Sequence, residues 1–433
     1  MDMENEKPSE ELFSESTETP VSNTVETKND SKKKSKLKVI IAIVIILLII
    51  ILAAGYFFFL TKPKEIFDRK IQESVNYLTE NIDKQIKYNT LKEEGTISYE
   101  ISSSDNTIQE MFELFNGITL NYNVQIDYSN KLINADINSN FNEEKLIDFN
   151  LYTENQKGYI LLKDVYDRYI STNIEGYNEL FTTKENAKDV KVIINSISKA
   201  LMLSLENDDF TKEDATIEVN NKNINVKKQT LVIDQNNIKR ISENILNTLK
   251  DDNEFIDSMN NIIEDENTDI KTVLENAITQ LNEQESFGDE KVEISLYTKG
   301  ILNKVLKTEI EFTSNDIPTT IAITENDENN YNYTVEQNSI TLVTGTIKIQ
   351  SNTESKLSEG QIEVTANISN IIDLKINIDN KVEYDVDFEK ADVSNSIEDT
   401  ELTEEDTNNI MEKLMENQGF ASLINNFKAI TSA

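Results

Sequence analysis

The sequence predicts an α+β fold in which long antiparallel β-meanders form a curved sheet or half-barrel packed on helices, preceded by one transmembrane helix. Three observations predict this class. Residues 39–60 form an uncharged apolar run, apolar residues recur with helical spacing in several segments after it, and polar and apolar residues alternate over two long stretches. Such alternation is typical of antiparallel strands that have one face in water.

The apolar run is predicted to cross a membrane. At 1.5 Å per residue its 22 residues span about 33 Å. Five lysines precede the run, whereas Lys62 and Lys64 follow it, so the positive-inside rule places the N-terminus in the cytoplasm and the larger C-terminal part outside the cell. A cleaved signal peptide ending near Ala53, Ala54 and Gly55 is the alternative, but the run is longer than an ordinary signal core.

Four parts are predicted along the chain. Residues 1–37 form a disordered cytoplasmic tail, because they are rich in Glu, Ser, Thr, Asn and Lys and have almost no apolar periodicity. Residues 38–60 form the transmembrane helix. Residues 61–210 and 211–433 form two extracellular α+β halves, because the order helix, meander, helix occurs twice.

The first half is predicted to begin with an amphipathic helix. Apolar residues after Pro63 recur every three or four positions as far as Ile86, and Gly95 is expected to end the segment. Alternating strands follow at residues 120–128, 133–141, 147–151, 159–162 and 166–170. Helical spacing returns at residues 187–205.

The second half is predicted to repeat this order. A strand at residues 224–233 precedes three helices, at 238–249, 255–263 and 270–281, and strands then dominate residues 291–388. Thr403 and Asp406 are spaced as a capping box, which indicates that a last helix begins there.

Composition excludes several functional classes. The chain has a formal net charge of −37, which repels nucleic acid, so no nucleic-acid partner is expected. It contains no Cys, His or Trp. Thiol nucleophiles, histidine-dependent triads and the commonest zinc ligand are therefore absent, and no catalytic, cofactor-binding or metal-binding residue is predicted.

The remaining candidates for chemistry have simpler explanations. The acidic clusters Asp208-Asp209, Asp251-Asp252 and Glu264-Asp265-Glu266 lack the pattern of a calcium loop and are more typical of solvated helix ends. Tyr152, Tyr159, Tyr166 and Tyr169 crowd one hairpin region, where a ligand groove is less common than ordinary sheet packing. A hydrolase using only two carboxylates stays open as a remote alternative, because such a pair has no sequence signature.

Two stretches carry a resemblance to a known fold. They are residues 120–164, with the turn Asp127-Tyr128-Ser129-Asn130 and the run Leu162-Lys163-Asp164, and residues 226–241. The pattern resembles the lipoprotein-carrier fold of the LolA and LppX type, in which a curved antiparallel sheet wraps helices around an apolar cavity. It is also similar to membrane-anchored Gram-positive proteins that combine a Lys-rich tail, one helix and Asn-rich strands. A single carrier domain is much shorter than residues 64–430, which puts one simple cavity in doubt.

The expected function is that of a membrane-anchored extracellular binding or interaction module rather than an enzyme. The resemblance implies that apolar faces of sheet and helix enclose a lipid-like ligand. The alternative is a structural scaffold of the cell envelope that binds a protein partner and fills its core with its own side chains.

Overall fold

The computed structural model describes residues 62–431, except 114–115, 142–143, 264–268, 285–289, 301–302 and 315–316. These residues form one curved sheet of 16 strands with helices packed on it. The strands are β1 Thr90–Ser103, β2 Ile118–Asp127, β3 Leu132–Phe141, β4 Glu144–Glu154, β5 Lys157–Leu162, β6 Ile170–Asn173, β7 Phe210–Val219, β8 Lys222–Ile233, β9 Lys291–Lys299, β10 Lys304–Ser314, β11 Ile317–Asp327, β12 Asn330–Gln337, β13 Ile340–Thr353, β14 Leu357–Ile368, β15 Ile372–Tyr384 and β16 Ile397–Glu398.

Nine α-helices accompany the sheet in the described part of the chain. They are α1 Pro63–Lys87, α2 Asn106–Phe112, α3 Thr182–Glu185, α4 Ala187–Ser204, α5 Ile238–Lys250, α6 Asn253–Ile263, α7 Ile270–Glu283, α8 Glu404–Glu416 and α9 Gln418–Thr431. Most of the predicted helices are confirmed, including α1, α4 and the three helices α5 to α7. The capping box is also confirmed, since the side chains of Thr403 and Asp406 each accept a hydrogen bond from the other residue's backbone N–H.

The predicted fold class is wrong. The molecule is mostly β, with 46% strand and 35% helix, and its strands belong to a single sheet. Three strands of this sheet, β1, β7 and β16, were not recognised from the sequence. β1 carries Glu93 and Gly95 where the alternation calls for apolar residues, so Gly95 lies inside a strand and does not end the helical segment. In β7, four consecutive polar residues precede Ala215.

The predicted transmembrane helix and cytoplasmic tail lie outside the described residues. Among the residues that are described, no helix has the length and apolar character needed to cross a bilayer. Both predictions therefore rest on the sequence alone.

The strand order explains how the two meanders become one sheet. It runs β16-β6-β5-β4-β3-β2-β1-β15-β14-β13-β12-β11-β10-β9-β8-β7. All neighbours are antiparallel except β16, which pairs parallel with β6, so the predicted antiparallel sheet is confirmed. β1 joins the meanders by pairing with β15 along its length, from Leu91 opposite Tyr384 to Ser103 opposite Ile372.

Helices cover the sheet mainly near its two ends. α1 packs on β7 and β8, where the rings of Phe67 and Phe210 lie 5.1 Å apart, and α4 packs on α1 and on α5 and α6. α9 packs on β3 and β4 at the other end. Ile66, Phe67, Ile71 and Val75 of α1 are almost completely buried, so this helix supplies much of the core beside β7 and β8.

Candidate binding surfaces

An apolar surface crosses the middle of the sheet. Because side chains alternate between faces along a strand, residues in register on neighbouring strands share a face. Three consecutive rows on one face are apolar. They are Ile97, Ile378, Ile362 and Ile349; Tyr99, Ile376, Val364, Ile347 and Tyr331; and Ile101, Leu374, Ala366, Gly345 and Tyr333. We call these three rows the isoleucine face.

The isoleucine face is only partly covered. Ile349 and Ile362, which are cross-strand partners, keep 36% and 37% of their surface exposed. The other members are half-buried, whereas apolar residues under the helices, such as Leu231 and Ile294, are about 99% and 98% buried. A contiguous apolar patch of this kind is uncommon on a protein surface and marks an interaction site more often than not.

Two glycines allow close contacts between the central strands. A Cβ on Gly345 would lie 1.9 Å from the carbonyl oxygen of Thr365 and 2.6 Å from the ring of Tyr333, its cross-strand partner. A Cβ on Gly95 would likewise lie 2.3 Å from the carbonyl oxygen of Asp379 and 2.6 Å from the hydroxyl oxygen of Tyr122. In both places the absent side chain allows close backbone approach and a tyrosine covers the gap, as in strand bends that use glycine.

The opposite face of the same strands is polar and contains a groove of about 760 Å³. Its side chains form two neighbouring rows across β1, β15, β14 and β13, with Asn123 of β2 at one end. The rows are Glu94, Lys381, Glu359 and Asn352, and Thr96, Asp379, Gln361 and Gln350. We call these nine residues the polar trough. No Ile, Leu or Val of the described chain lines this groove.

A second groove of about 430 Å³ lies further along the same strands. Its lining includes Glu100, Thr365, Asp373 and Lys375, together with the apolar residues Ile101, Ala366 and Leu374. The two grooves follow the strand direction one after the other, so the polar face is concave over much of the length of β14 and β15.

Ion pairs neutralise part of the polar trough. The Lys381 ammonium lies 2.5 Å from a Glu383 oxygen and 3.3 Å from a Glu94 oxygen, and these hydrogen bonds raise the pKa of Lys381. The hydrogen bond from Lys92, with a smaller one from Lys381, lowers the pKa of Glu94. In the described part of the chain, no ion pair involves Glu359 or Asp379, so these two exposed carboxylates leave the trough acidic.

One acceptor in the trough has no partner. The side-chain oxygen of Asn123 is inaccessible to solvent and receives no hydrogen bond from the described residues. Leaving a buried amide oxygen unpaired costs about 1–3 kcal/mol, and such an atom is a natural place for a ligand donor.

The segment between β15 and β16, residues 385–396, lies across the polar face beside the trough. We call it the strap. The N–H of Glu389 donates to the Gln125 side-chain oxygen at 2.9 Å, and the Asn134 side-chain amide donates to the Glu389 carbonyl, also at 2.9 Å. Since Gln125 and Asn134 are cross-strand partners, two neighbouring amides hold both backbone groups of one residue.

The strap ends by extending the sheet. Lys390 pairs with Glu154 at 3.0 Å, and Arg168 donates to the carbonyl oxygens of Asn395 and Ser396. Ile397 then begins β16 beside β6. The strap therefore makes polar contacts along its length, and its apolar residues Val386, Phe388 and Val393 are half-buried.

The four clustered tyrosines lie in packing contacts. Tyr152 is completely buried, with its ring centre 6.0 Å from that of Tyr159, and burial raises the pKa of Tyr152 to about 12. Tyr166 contacts Asp406, and the Tyr169 hydroxyl donates to Asn150 at 2.9 Å. Tyr152, Tyr159 and Tyr169 therefore pack within the first meander, and Tyr166 contacts helix α8.

The acidic clusters serve the packing of helices. Asp209 is buried and accepts hydrogen bonds from Arg240 and Asn237. Asp252 accepts from Ser196 and from the N–H of Phe255 at the start of α6. The third cluster, at residues 264–266, lies outside the described residues. Within the residues that the structure places, no three Asp or Glu side chains converge as metal ligands.

Comparison with known proteins finds no matching family model, no similar curated protein and no similar solved structure.

Proposed function

We propose that this protein is an extracellular binding module that holds a lipid-like ligand on the isoleucine face. The observation that carries this proposal is the row Ile97, Ile378, Ile362 and Ile349, which is in register across four strands and keeps its last two members more than one-third exposed. Burying this surface is favourable by about 25 cal/mol per Å² of apolar area, and a bound apolar ligand would remove it from water.

The size of the face suits an acyl chain. Along β1 the three rows run from Ile97 to Ile101, and the apolar positions of β15 run from Ile378 to Leu374. With about 3.3 Å per residue, and four strands about 4.8 Å apart, the face measures roughly 13 by 15 Å along and across the strands, with Tyr331 and Tyr333 extending it onto β12. An extended or bent chain of 12 to 16 carbons fits a diagonal on such a surface.

The predicted localisation supports access to such ligands. The sequence predicts a transmembrane helix at residues 38–60, and α1 begins at Pro63. If the chain is anchored there, the described region stands a few residues from the bilayer surface, where lipid-like molecules are concentrated. The localisation itself stays a prediction from the positive-inside rule.

The proposal is tested with a fluorescent long-chain fatty acid titrated into the full-length chain held in a non-ionic amphipol. We expect saturable binding, weakened about tenfold by the double change Ile349→Asn and Ile362→Asn, because two polar amides remove about 1.4 kcal/mol of favourable burial. Ile340→Asn is the matched control, since Ile340 is 64% exposed on the same strand but lies nine residues from Ile349, outside the three rows and beyond a β-bulge in the pairing with β12. Equal weakening by both variants, or no saturable binding by the unaltered chain, contradicts the proposal.

A further inference from the structure

We propose that the polar trough is a second binding site, for an extended basic segment of polypeptide. It lies on the opposite face of the sheet from the isoleucine face, so the two sites do not overlap. The polar face already holds a stretch of the chain that belongs to neither a helix nor a strand, the strap, by contacts to its backbone.

The strap shows which groups do the holding. The Gln125 and Asn134 side chains, on neighbouring strands, bind the N–H and the carbonyl of Glu389. An amide side chain can donate and accept hydrogen bonds at the same time. A pair of neighbouring amides can therefore bind the backbone of an extended chain, whatever its side chains are.

The polar trough repeats this arrangement two residues away. Asn123 precedes Gln125 by two positions on β2 and therefore shares its face. Its side-chain oxygen is buried and has no partner among the described residues, so rotation of the amide toward the trough would let it accept a hydrogen bond from a backbone N–H. Gln361 and Gln350 are exposed cross-strand partners and offer a second pair of neighbouring amides at the far end of the trough.

Charge selects the class of polypeptide. Glu359 and Asp379 are exposed, form no ion pair with the described residues and line the trough, whereas Lys381 is engaged by Glu94 and Glu383. Lys or Arg side chains of a bound segment would pair with the two carboxylates, and the formal net charge of −37 draws a basic partner toward the surface.

The length of the concave face sets the length of the segment. From Asn123 on β2 to Gln350 on β13, the trough crosses four strand spacings, which corresponds to about 19 Å. A segment of about six extended residues would span it. A sugar chain fits less well, because Tyr122 is the one aromatic residue of the described chain that lines this groove, and it lies against Gly95.

The test uses fluorescence anisotropy with the full-length chain in non-ionic amphipol and a labelled 12-residue peptide made of four Lys-Ser-Thr repeats. A peptide of four Glu-Ser-Thr repeats is the charge-reversed probe. We expect the basic peptide to bind and the acidic one not to bind, with an affinity that falls as salt is raised. The double change Glu359→Gln and Asp379→Asn should weaken binding at least fivefold, and Gln361→Lys should weaken it further.

The controls separate this site from other acidic surface and from the isoleucine face. Glu328→Gln removes one charge in the turn between β11 and β12 and should leave peptide binding unchanged, as should Ile349→Asn with Ile362→Asn. Unchanged affinity in the trough variants, equal binding of the acidic peptide, or displacement of the basic peptide by a neutral chitin hexasaccharide would overturn the proposal.

Discussion

Gly345 and Gly360 lie on neighbouring strands of the central sheet, yet substitutions at the two positions should have opposite effects. Gly345→Ala places a Cβ 1.9 Å from the Thr365 carbonyl oxygen, so the backbone must move and the free energy of unfolding should fall by about 2–3 kcal/mol. In Gly360→Ala the added Cβ lies no closer than 3.9 Å to another atom. This change should raise the free energy of unfolding by about 0.5 kcal/mol, because alanine restricts the unfolded chain. Urea denaturation of the two variants decides this, and similar losses in both would show that Gly345 does not allow the close approach.

Asp209 makes stability depend on acid pH. Burial disfavours its charged form, but hydrogen bonds from Arg240, the backbone of Glu206 and Asn237 outweigh burial and lower the pKa of Asp209 below its ordinary value of 3.8. The folded state holds this carboxylate ionised. Its contribution to the free energy of unfolding is therefore fully present above pH 4 to 5 and is lost as the pH falls through the lowered pKa of Asp209.

The lowered pKa of Asp209 predicts how the variant Asp209→Asn responds to pH. The loss in free energy of unfolding should be largest at pH 7, about 1–3 kcal/mol, and should shrink as the pH is lowered to 3. Asp214→Asn removes an exposed carboxylate that pairs with Lys227 and should cost under 1 kcal/mol at either pH. A loss for Asp209→Asn that is independent of pH would contradict the assignment.

At the scale of the elements, the strap should loosen when its two amide contacts are removed. Gln125→Ala with Asn134→Ala deletes both hydrogen bonds to Glu389, so amide exchange across residues 385–396 should become about five- to tenfold faster. Asn121→Ala, also on the polar face but bonded to Thr96 and Asn138, is the control. Hydrogen exchange with mass spectrometry measures both, and unchanged exchange in the double variant would mean that other contacts hold the strap.

The sequence predicted the elements better than it predicted their partners. Helices α1 and α4 to α7 have regular apolar spacing, and most strands alternate cleanly, so local pattern was sufficient. β1 was missed because Glu93 and Gly95 occupy apolar positions of the pattern. Alternation continues through Val386 and Phe388, so strand was predicted as far as residue 388, whereas β15 ends at Tyr384 and the strap begins.

The candidate surfaces were predicted only in part. The isoleucines of β13 to β15 were recognised as one-sided strand residues, but the face they form depends on the pairing of β1 with β15, which are far apart in the sequence. Local alternation contains no information on that pairing. The polar trough could not be predicted either, because its Asn, Gln and Glu residues are the ordinary composition of a solvated face.

For the whole molecule, the pairing of β1 with β15 should make the sheet behave as one unit. Ile97→Asn places an amide between Leu120 and Ile378, its two cross-strand partners, and should expose amides in both β2 to β4 and β12 to β14 at the same denaturant concentration. Ala215→Asn, in the edge strand β7, should affect mainly β7 and β8. Hydrogen exchange in increasing urea measures the protection of these amides. If the two groups of strands lose protection at different urea concentrations, they are separate cooperative units.

Native mass spectrometry, with organic extraction, of the full-length chain purified from a bacterial host and released from non-ionic detergent tests directly whether the isoleucine face carries a ligand. We expect a stoichiometric lipid-like adduct that Ile349→Asn with Ile362→Asn removes and Ile340→Asn retains. A clean mass for the unaltered chain, repeated after incubation with envelope lipids, would contradict the proposal that the isoleucine face holds such a ligand.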